Sequence, residues 1–201
     1  MARRQAENYG QIRRDIMAVT ASVFARQGYA ATTIADLATA NGISRGLLYH
    51  YFASKEALLQ EMLNAHLDMM LDAARAASTA GGTPEARFRA TVDTIVAINA
   101  GSRDLQVVLL HDLQNLGVAE RTEIIAKQRQ IIAVLRDLIR DCDHTGQIEP
   151  RTLMAHTMMC VGMINYTYLW YDPDGPVPPG EYAAMVADTD LAGLGGRPDS
   201  D

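Results

Sequence analysis

Several residue types are scarce in this chain, and each scarcity argues against a class of protein. Only two of 201 residues are cysteine, Cys142 and Cys160, and they have no CxxC spacing. A disulfide-stapled secreted scaffold does not fit, and a reducing cytoplasm is the expected setting. The amino-terminal stretch is polar and charged, unlike a secretory signal. Long strand-like runs of Val, Ile and Thr are missing, and helical periodicity takes their place, so the expected fold class is all-α. No GxSxG, P-loop or dinucleotide fingerprint occurs. The five histidines, His50, His66, His111, His144 and His156, show no metal-ligand spacing with cysteine or acid. Cys142-Asp143-His144 precedes a glycine loop and reads as a surface turn. No catalytic residue, cofactor or metal is expected. One stretch, Thr152 to Tyr171, lacks charge over a membrane-spanning length. His156, Gly162, Asn165, several threonines and four Tyr or Trp residues make it too polar for a span. A helix packed between two layers is expected there.

Charge is what the chain distributes unevenly. The net value of −6 argues against nucleic acid if taken whole. Residues 1–60, however, hold seven basic residues against four acidic, a local +3, which leaves −9 for the rest. A basic head on an acidic body suits a protein that touches phosphate with one end. With 48% hydrophobic residues, a sizeable core is available.

The basic head contains the most specific pattern, TIADLATANGISRGLLYHYFASK over residues 33–55. Thr33 with Asp36 three residues on is a capping-box-like helix start. Ile34, Leu37 and Ala38 share one face. Gly42 sits in the turn Asn41-Gly42-Ile43, where a positive φ is needed. Ser44 caps a second helix carrying Leu47 and Leu48. A small residue, Ala38, stands four before the turn glycine, and an apolar residue, Leu48, six after it. These offsets predict a helix-turn-helix whose second helix reads DNA.

Together with Phe24-Ala25-Arg26-Gln27-Gly28-Tyr29, Thr32-Thr33-Ile34-Ala35, Leu48-Tyr49-His50-Tyr51-Phe52 and Ser54-Lys55-Glu56, this motif resembles the DNA-binding domain of the TetR family of bacterial repressors. The resemblance covers about residues 12–60. It implies a duplex DNA partner. The residues matching the family's DNA contacts are Thr33, Ser44, Arg45, Gly46, Leu47, Tyr49, His50, Tyr51 and Lys55. Arg45 has a fork suited to guanine O6 and N7. Gly46 admits close backbone approach, and Leu47 either meets a thymine methyl or packs partly buried. Leu47 also departs from the hydroxyl residue frequent at that place in the family. Thr33, Ser44, Tyr49, Tyr51 and Lys55 are phosphate donors; Tyr51 has core packing as its alternative, and Phe52 reads as core. Arg3, Arg4, Arg13 and Arg14 form either a basic arm along DNA or, for the first two, a solvated tail.

About nine helices are expected: three in a head of residues 1–55 and six in an effector-binding and dimerisation domain of residues 56–201. The first should run from about Gln11 to Gln27. Others cover about 54–77, 84–100, 104–115, 119–142, 151–171 and 178–191, and the tail from Gly193 to Asp201 should be disordered. The body is rich in methionine, a residue that adapts to irregular guests. Phe88, Val92, Ile95, Met158 and Met163 are candidate walls of a ligand pocket. His111, Asn115 and Asn165 are its candidate polar contacts, with core or subunit-interface packing as the alternative for each. The run Trp170-Tyr171-Asp172-Pro173-Asp174-Gly175-Pro176 is similar to a TetR-family branch with members that respond to CoA thioesters. The implied protein is a homodimeric repressor released from a palindromic operator by an acyl- or aryl-CoA or a hydrophobic aromatic effector. An activator or effectorless global binder, and a carrier or enzyme with a vestigial DNA head, are the rival readings; a metal or redox sensor would need a ligand cluster that the spacing does not show.

Overall fold

A computed structural model describes residues 2–194, with side chains from Asn8 onward. Among the described residues there are ten α-helices, one 3-10 turn and no strand, so the all-α expectation holds. The helices are α1 Ala2–Gln27, α2 Ile34–Ala40, α3 Arg45–Tyr51, α4 Lys55–Ser78, α5 Pro84–Gly101, α6 Arg103–His111, α7 Val118–Cys142, α8 Leu153–Asn165, α9 Thr167–Trp170 and α10 Pro179–Leu194, with the 3-10 turn at Leu113–Asn115.

Four boundaries differ from the sequence expectation. The helix expected over about 104–115 stops at His111, and a 3-10 turn at Leu113–Asn115 takes its last residues. Helix α1 starts nine residues before Gln11. Its first turns, ARRQAEN, carry good helix formers without an apolar stripe, so propensity acts there where periodicity gave no signal. The expected helix over 151–171 is split between α8 and α9 at Tyr166. At that point the Thr167 hydroxyl donates to the Ile164 carbonyl at 2.8 Å, and Leu169 N–H turns back to the Tyr166 carbonyl three residues earlier. Both replace regular i→i−4 bonding. Gly193 and Leu194 extend α10, whereas residues 195–201 of the expected tail lie outside the described residues. The side chains of Arg3 and Arg4 lie outside them too.

The chain forms two compact units. One takes in the chain through His66 together with Asp104–Ile124; the other takes in Leu67–Arg103 and the chain from Ile125 onward. In the first unit, Ile16, Val23 and Phe24 of α1 are buried with Leu37 and Ala38 of α2, Leu48 of α3, and Leu58, Leu59, Met62 and Leu63 of α4. In the second, α5 lies along α10, and both meet α8. Phe88, Val92, Ile95 and Val96 are buried there with Cys160, Val161, Ile164, Ala183, Val186 and Ala187. Both cysteines are free. No helix among the described residues is long and apolar enough to cross a membrane.

One buried polar group stands out in the first unit. His66 is 3% exposed, and neither ring nitrogen has a hydrogen-bond partner. Burial lowers its pKa from 6.5 to about 4, so the imidazole is neutral at neutral pH. In the unfolded chain it takes a proton near pH 6.5; in the folded chain it resists one until about pH 4. The unfolded state therefore binds more protons in that window, and stability falls as pH drops through it. The loss expected from this residue is roughly 3 kcal/mol at most. Urea titrations between pH 7 and 4 should show a shallower decline for His66→Phe than for the parent.

Candidate DNA and effector sites

The helix-turn-helix is fixed by local bonds. The Thr33 hydroxyl accepts from Asp36 N–H at 3.2 Å, while the Asp36 carboxylate accepts from Thr33 N–H at 2.8 Å. This is the expected capping box. The Thr33 hydroxyl also donates to Asp36, and these bonds hold the Asp36 carboxyl below its ordinary pKa. At the other end of α2, Gly42 N–H bonds the Thr39 carbonyl and Ile43 N–H bonds the Ala38 carbonyl. That pair is a Schellman closure, and it places Gly42 at φ +64°. Ser44 then caps α3 by accepting Leu47 N–H at 3.1 Å.

The result is a short helix with one buried face. On α3 only Leu48 is buried, at 1% exposure. Arg45, Gly46, Leu47, Tyr49 and His50 are all exposed, as is Ser44 before them. Leu47 is 42% exposed, which favours the solvent-facing alternative over packing. Phe52 is buried and Tyr51 half-buried. The structure thus places Ser44, Arg45, Gly46, Leu47, Tyr49 and His50 on or beside one accessible helix surface.

Lys55 is placed differently. Its ammonium donates to the Tyr29 and Thr32 carbonyls, both at 2.8 Å, and lies 4.0 Å from the Tyr29 ring centroid. Two of its three protons therefore tie the α1–α2 turn to the start of α4. Thr33 likewise spends its hydroxyl proton on Asp36. Arg13 is no free arm: it pairs with Glu61, and its guanidinium sits 5.0 Å from the Phe52 ring. Arg14 remains exposed, donating to Gln11 on its own helix.

The candidate effector residues divide between the two units. His111 and Asn115 belong to the first. His111 is exposed at the end of α6. The Asn115 amide donates to the carbonyl and carboxylate of Asp112, whose other contact is Tyr29 N–H at 3.4 Å. Burial raises the Asp112 pKa, and the cluster joins the α6 end to the α1–α2 turn. In the second unit, Phe88, Val92 and Ile95 share one buried face of α5. Asn99 continues that face, 5% exposed, with its amide nitrogen unpartnered. The sequence reading missed Asn99; its i+4 spacing from Ile95 was the available signal. It also missed His66, spaced four from both Met62 and Met70. Met163 is half-buried. Met158 and Asn165 face outward instead, on the exposed side of α8 with Met154, Met159 and Tyr166.

The Trp170–Pro176 run builds a rigid corner. Tyr171 is buried and donates to the Val177 carbonyl at 2.9 Å, and Tyr182 donates to the Met163 carbonyl at 2.7 Å. Their rings and that of Trp170 lie with centroids 5.3 to 5.7 Å apart.

Comparison with known proteins agrees with this geometry. The profile described as bacterial regulatory proteins, tetR family, matches residues 16–62, and that of the tetracyclin repressor-like C-terminal domain matches residues 81–194. The chain is 27% identical over 187 residues to the HTH-type transcriptional repressor KstR2 of Rhodococcus jostii strain RHA1, covering 90% of each chain. The structure of a TetR-family transcriptional regulator from Bordetella parapertussis 12822 superposes with a TM-score of 0.85 at 40% identity, covering 90% of this chain and 94% of that one. AibR, solved in complex with isovaleryl coenzyme A and operator DNA, shares the fold at a TM-score of 0.76 and 22% identity, covering 89% of this chain and 97% of its own. With one profile on the helix-turn-helix and the other on more than half of its length, the chain belongs to the TetR family of bacterial transcriptional regulators.

Proposed function

We propose that this protein is a homodimeric, ligand-responsive transcriptional repressor, without enzymatic activity, that leaves a palindromic operator when an effector binds. The functional division falls at residues 55/56. The observation that carries DNA binding is the exposed face of α3, where Leu48 alone is turned inward. Arg45 opens that helix with a side chain suited to guanine. The repressor assignment of KstR2 supports the same role. Arg45→Ala should cost about 1–3 kcal/mol on the operator and relax one base position. Lys55→Ala serves as contrast: it should lower thermal stability through loss of the Tyr29 and Thr32 contacts. Footprinting and anisotropy titrations at fixed salt check the first and a thermal melt checks the second, and an Arg45 variant with parental affinity removes its base-reading role.

Dimerisation rests on α8 and its neighbours. Met154, Met158, Met159 and Tyr166 cover the exposed side of α8, and Leu169, Trp170 and Met185 are exposed beyond it. Met159 is 63% exposed and Tyr166 61%, values that large apolar groups seldom keep together in a lone soluble chain. Gly162 leaves open space between them for close approach. An isologous pairing of α8 and α10 with a second copy covers this face. Two recognition helices so coupled would reach successive major grooves about one duplex turn apart. Light scattering of Met159→Glu at micromolar concentration should show a monomer, with palindrome affinity reduced and half-site binding kept.

The effector reading rests on the α5 face Phe88-Val92-Ile95-Asn99. It is apolar along its length and ends in an amide donor that lacks a partner. A guest carbonyl there removes the cost of an unsatisfied buried group. An acyl- or aryl-CoA thioester is the first candidate, supported by AibR with isovaleryl coenzyme A and by the Trp170–Pro176 resemblance. Against it, of the four arginines that a CoA phosphate would call on, three have other partners, Arg75 with Gln130, Arg89 with Asp188 and Arg103 with the Tyr168 carbonyl, which leaves Arg87. A hydrophobic aromatic compound is therefore the second. The effector acts only by binding the DNA-free state more tightly. Calorimetry with CoA esters, free acids and neutral aromatics should find one class that binds and also releases operator DNA. Asn99→Leu should weaken it, whereas binding by neutral aromatics alone removes the CoA assignment.

A further inference from the structure

The first turns of α1 lie outside the segment that matches the family profile, which begins at residue 16. They are not idle. Tyr9, about two helical turns earlier, reaches the last turn of the recognition helix α3. Its ring centroid is 4.8 Å from that of Tyr51 and 6.2 Å from that of His50, the latter edge-on at 87°. His50 and Tyr51 themselves meet edge-to-face at 5.4 Å. Behind Tyr9, the Arg13 guanidinium lies 5.8 Å from its ring and 5.0 Å from the ring of Phe52, and pairs with Glu61 of α4. A continuous set of aromatic and cationic contacts thus runs from α1, past the carboxy-terminal turn of α3, to α4.

The recognition helix needs such support. With seven residues it is too short to be stable alone. Ser44 holds its start and Leu48 its middle. At its end the core holds Phe52, the residue that closes the helix, whereas His50 is exposed and Tyr51 only half-buried, so the last turn itself is held on one side only.

We infer that Tyr9 is a positioning residue for operator recognition. It braces the end of α3 through Tyr51 and His50 and so sets the angle at which Arg45 meets its base. The inference rests on the DNA-binding reading above. It makes affinity for the operator depend on an amino-terminal extension that the family motif does not include.

The test compares Tyr9→Ala and Tyr9→Phe in the full-length chain. Affinity is measured for the operator and for a scrambled duplex across a salt series. Tyr9→Ala should lose about 3- to 10-fold on the operator, the range of one aromatic pair. Its affinity for scrambled DNA and its salt slope should stay at the parental values, because no phosphate contact is removed. Tyr9→Phe keeps the ring and should restore operator affinity. In the free protein, the His50 ring proton resonances should shift in Tyr9→Ala and not in Tyr9→Phe. Parental operator affinity in Tyr9→Ala overturns the proposal. So does an equal loss in both variants with a reduced salt slope, which identifies the hydroxyl as a direct phosphate contact. If the parent chain binds no duplex specifically, the DNA-binding reading itself fails and this proposal with it. That outcome is recognised from the parent alone.

Discussion

The recognition motif is built from two seven-residue helices, α2 and α3, and a helix of that length leaves most of its backbone N–H and C=O groups without intrahelical partners. Much of the first unit's chemistry can be understood as the supply of those partners. The Thr33–Asp36 capping box serves the start of α2, and the Gly42 closure serves its end. Ser44 begins α3 immediately afterwards, so one turn terminates a helix and caps the next. Lys55 then takes two carbonyls of the preceding α1–α2 connection, which no helix would satisfy. The Gly42 closure uses backbone alone, whereas the capping box, the Ser44 cap and the Lys55 tie use side chains that the motif would otherwise offer to DNA. Thr33 and Lys55 illustrate the competition: both are well placed by the motif, and both have donors engaged within the chain, Thr33 at the surface with Asp36 and Lys55 with two carbonyls.

The second unit follows a different logic. Apart from the four-residue α9, its helices are long enough to satisfy most of their own backbones, and their ordering comes from apolar area. Helix α8 is apolar on both sides. Thr157, Cys160, Val161 and Ile164 go inward, while Met154, Met158, Met159 and Tyr166 remain outside. That half-covered helix is the observation behind the proposed pairing with a second copy.

The legibility of the sequence tracks the range of the forces. The helix-turn-helix was readable because its determinants are local: a cap three residues from its partner and a glycine at fixed offsets. The all-α class was readable from periodicity. The early start of α1 was hidden because propensity without an apolar stripe leaves no pattern. The break before α9 was hidden because the residue at it, Thr167, bonds the Ile164 carbonyl in a way that residue type does not distinguish from the threonines of unbroken helices. Among site residues, the uncharged helix gave no means of choosing which side faced inward, so Met158 and Asn165 were placed in a pocket wall and its lining. Asn115 and Lys55 carried polar groups whose partners, Asp112, Tyr29 and Thr32, were settled by tertiary contact in the case of Lys55 and by turn geometry in that of Asn115. No spacing rule reports the Lys55 partners, more than twenty residues away, whereas Asp112 stands three residues before Asn115 and was open to a local reading.

The two free cysteines have a practical consequence. Cys160 has no exposed surface, its thiol is turned to Asp190, and burial raises its pKa far above the ordinary value. Cys142 is 6% exposed, with its thiol pushed up to about 11, first by burial. Reactive chemistry requires the thiolate and access to it, and the folded chain offers neither. Both thiols lie in the second unit, one at the end of α7 and one in α8. Alkylation by a maleimide would therefore proceed only through opening of those helices. The chain carries its own pair of clocks for that motion, with no engineered label required.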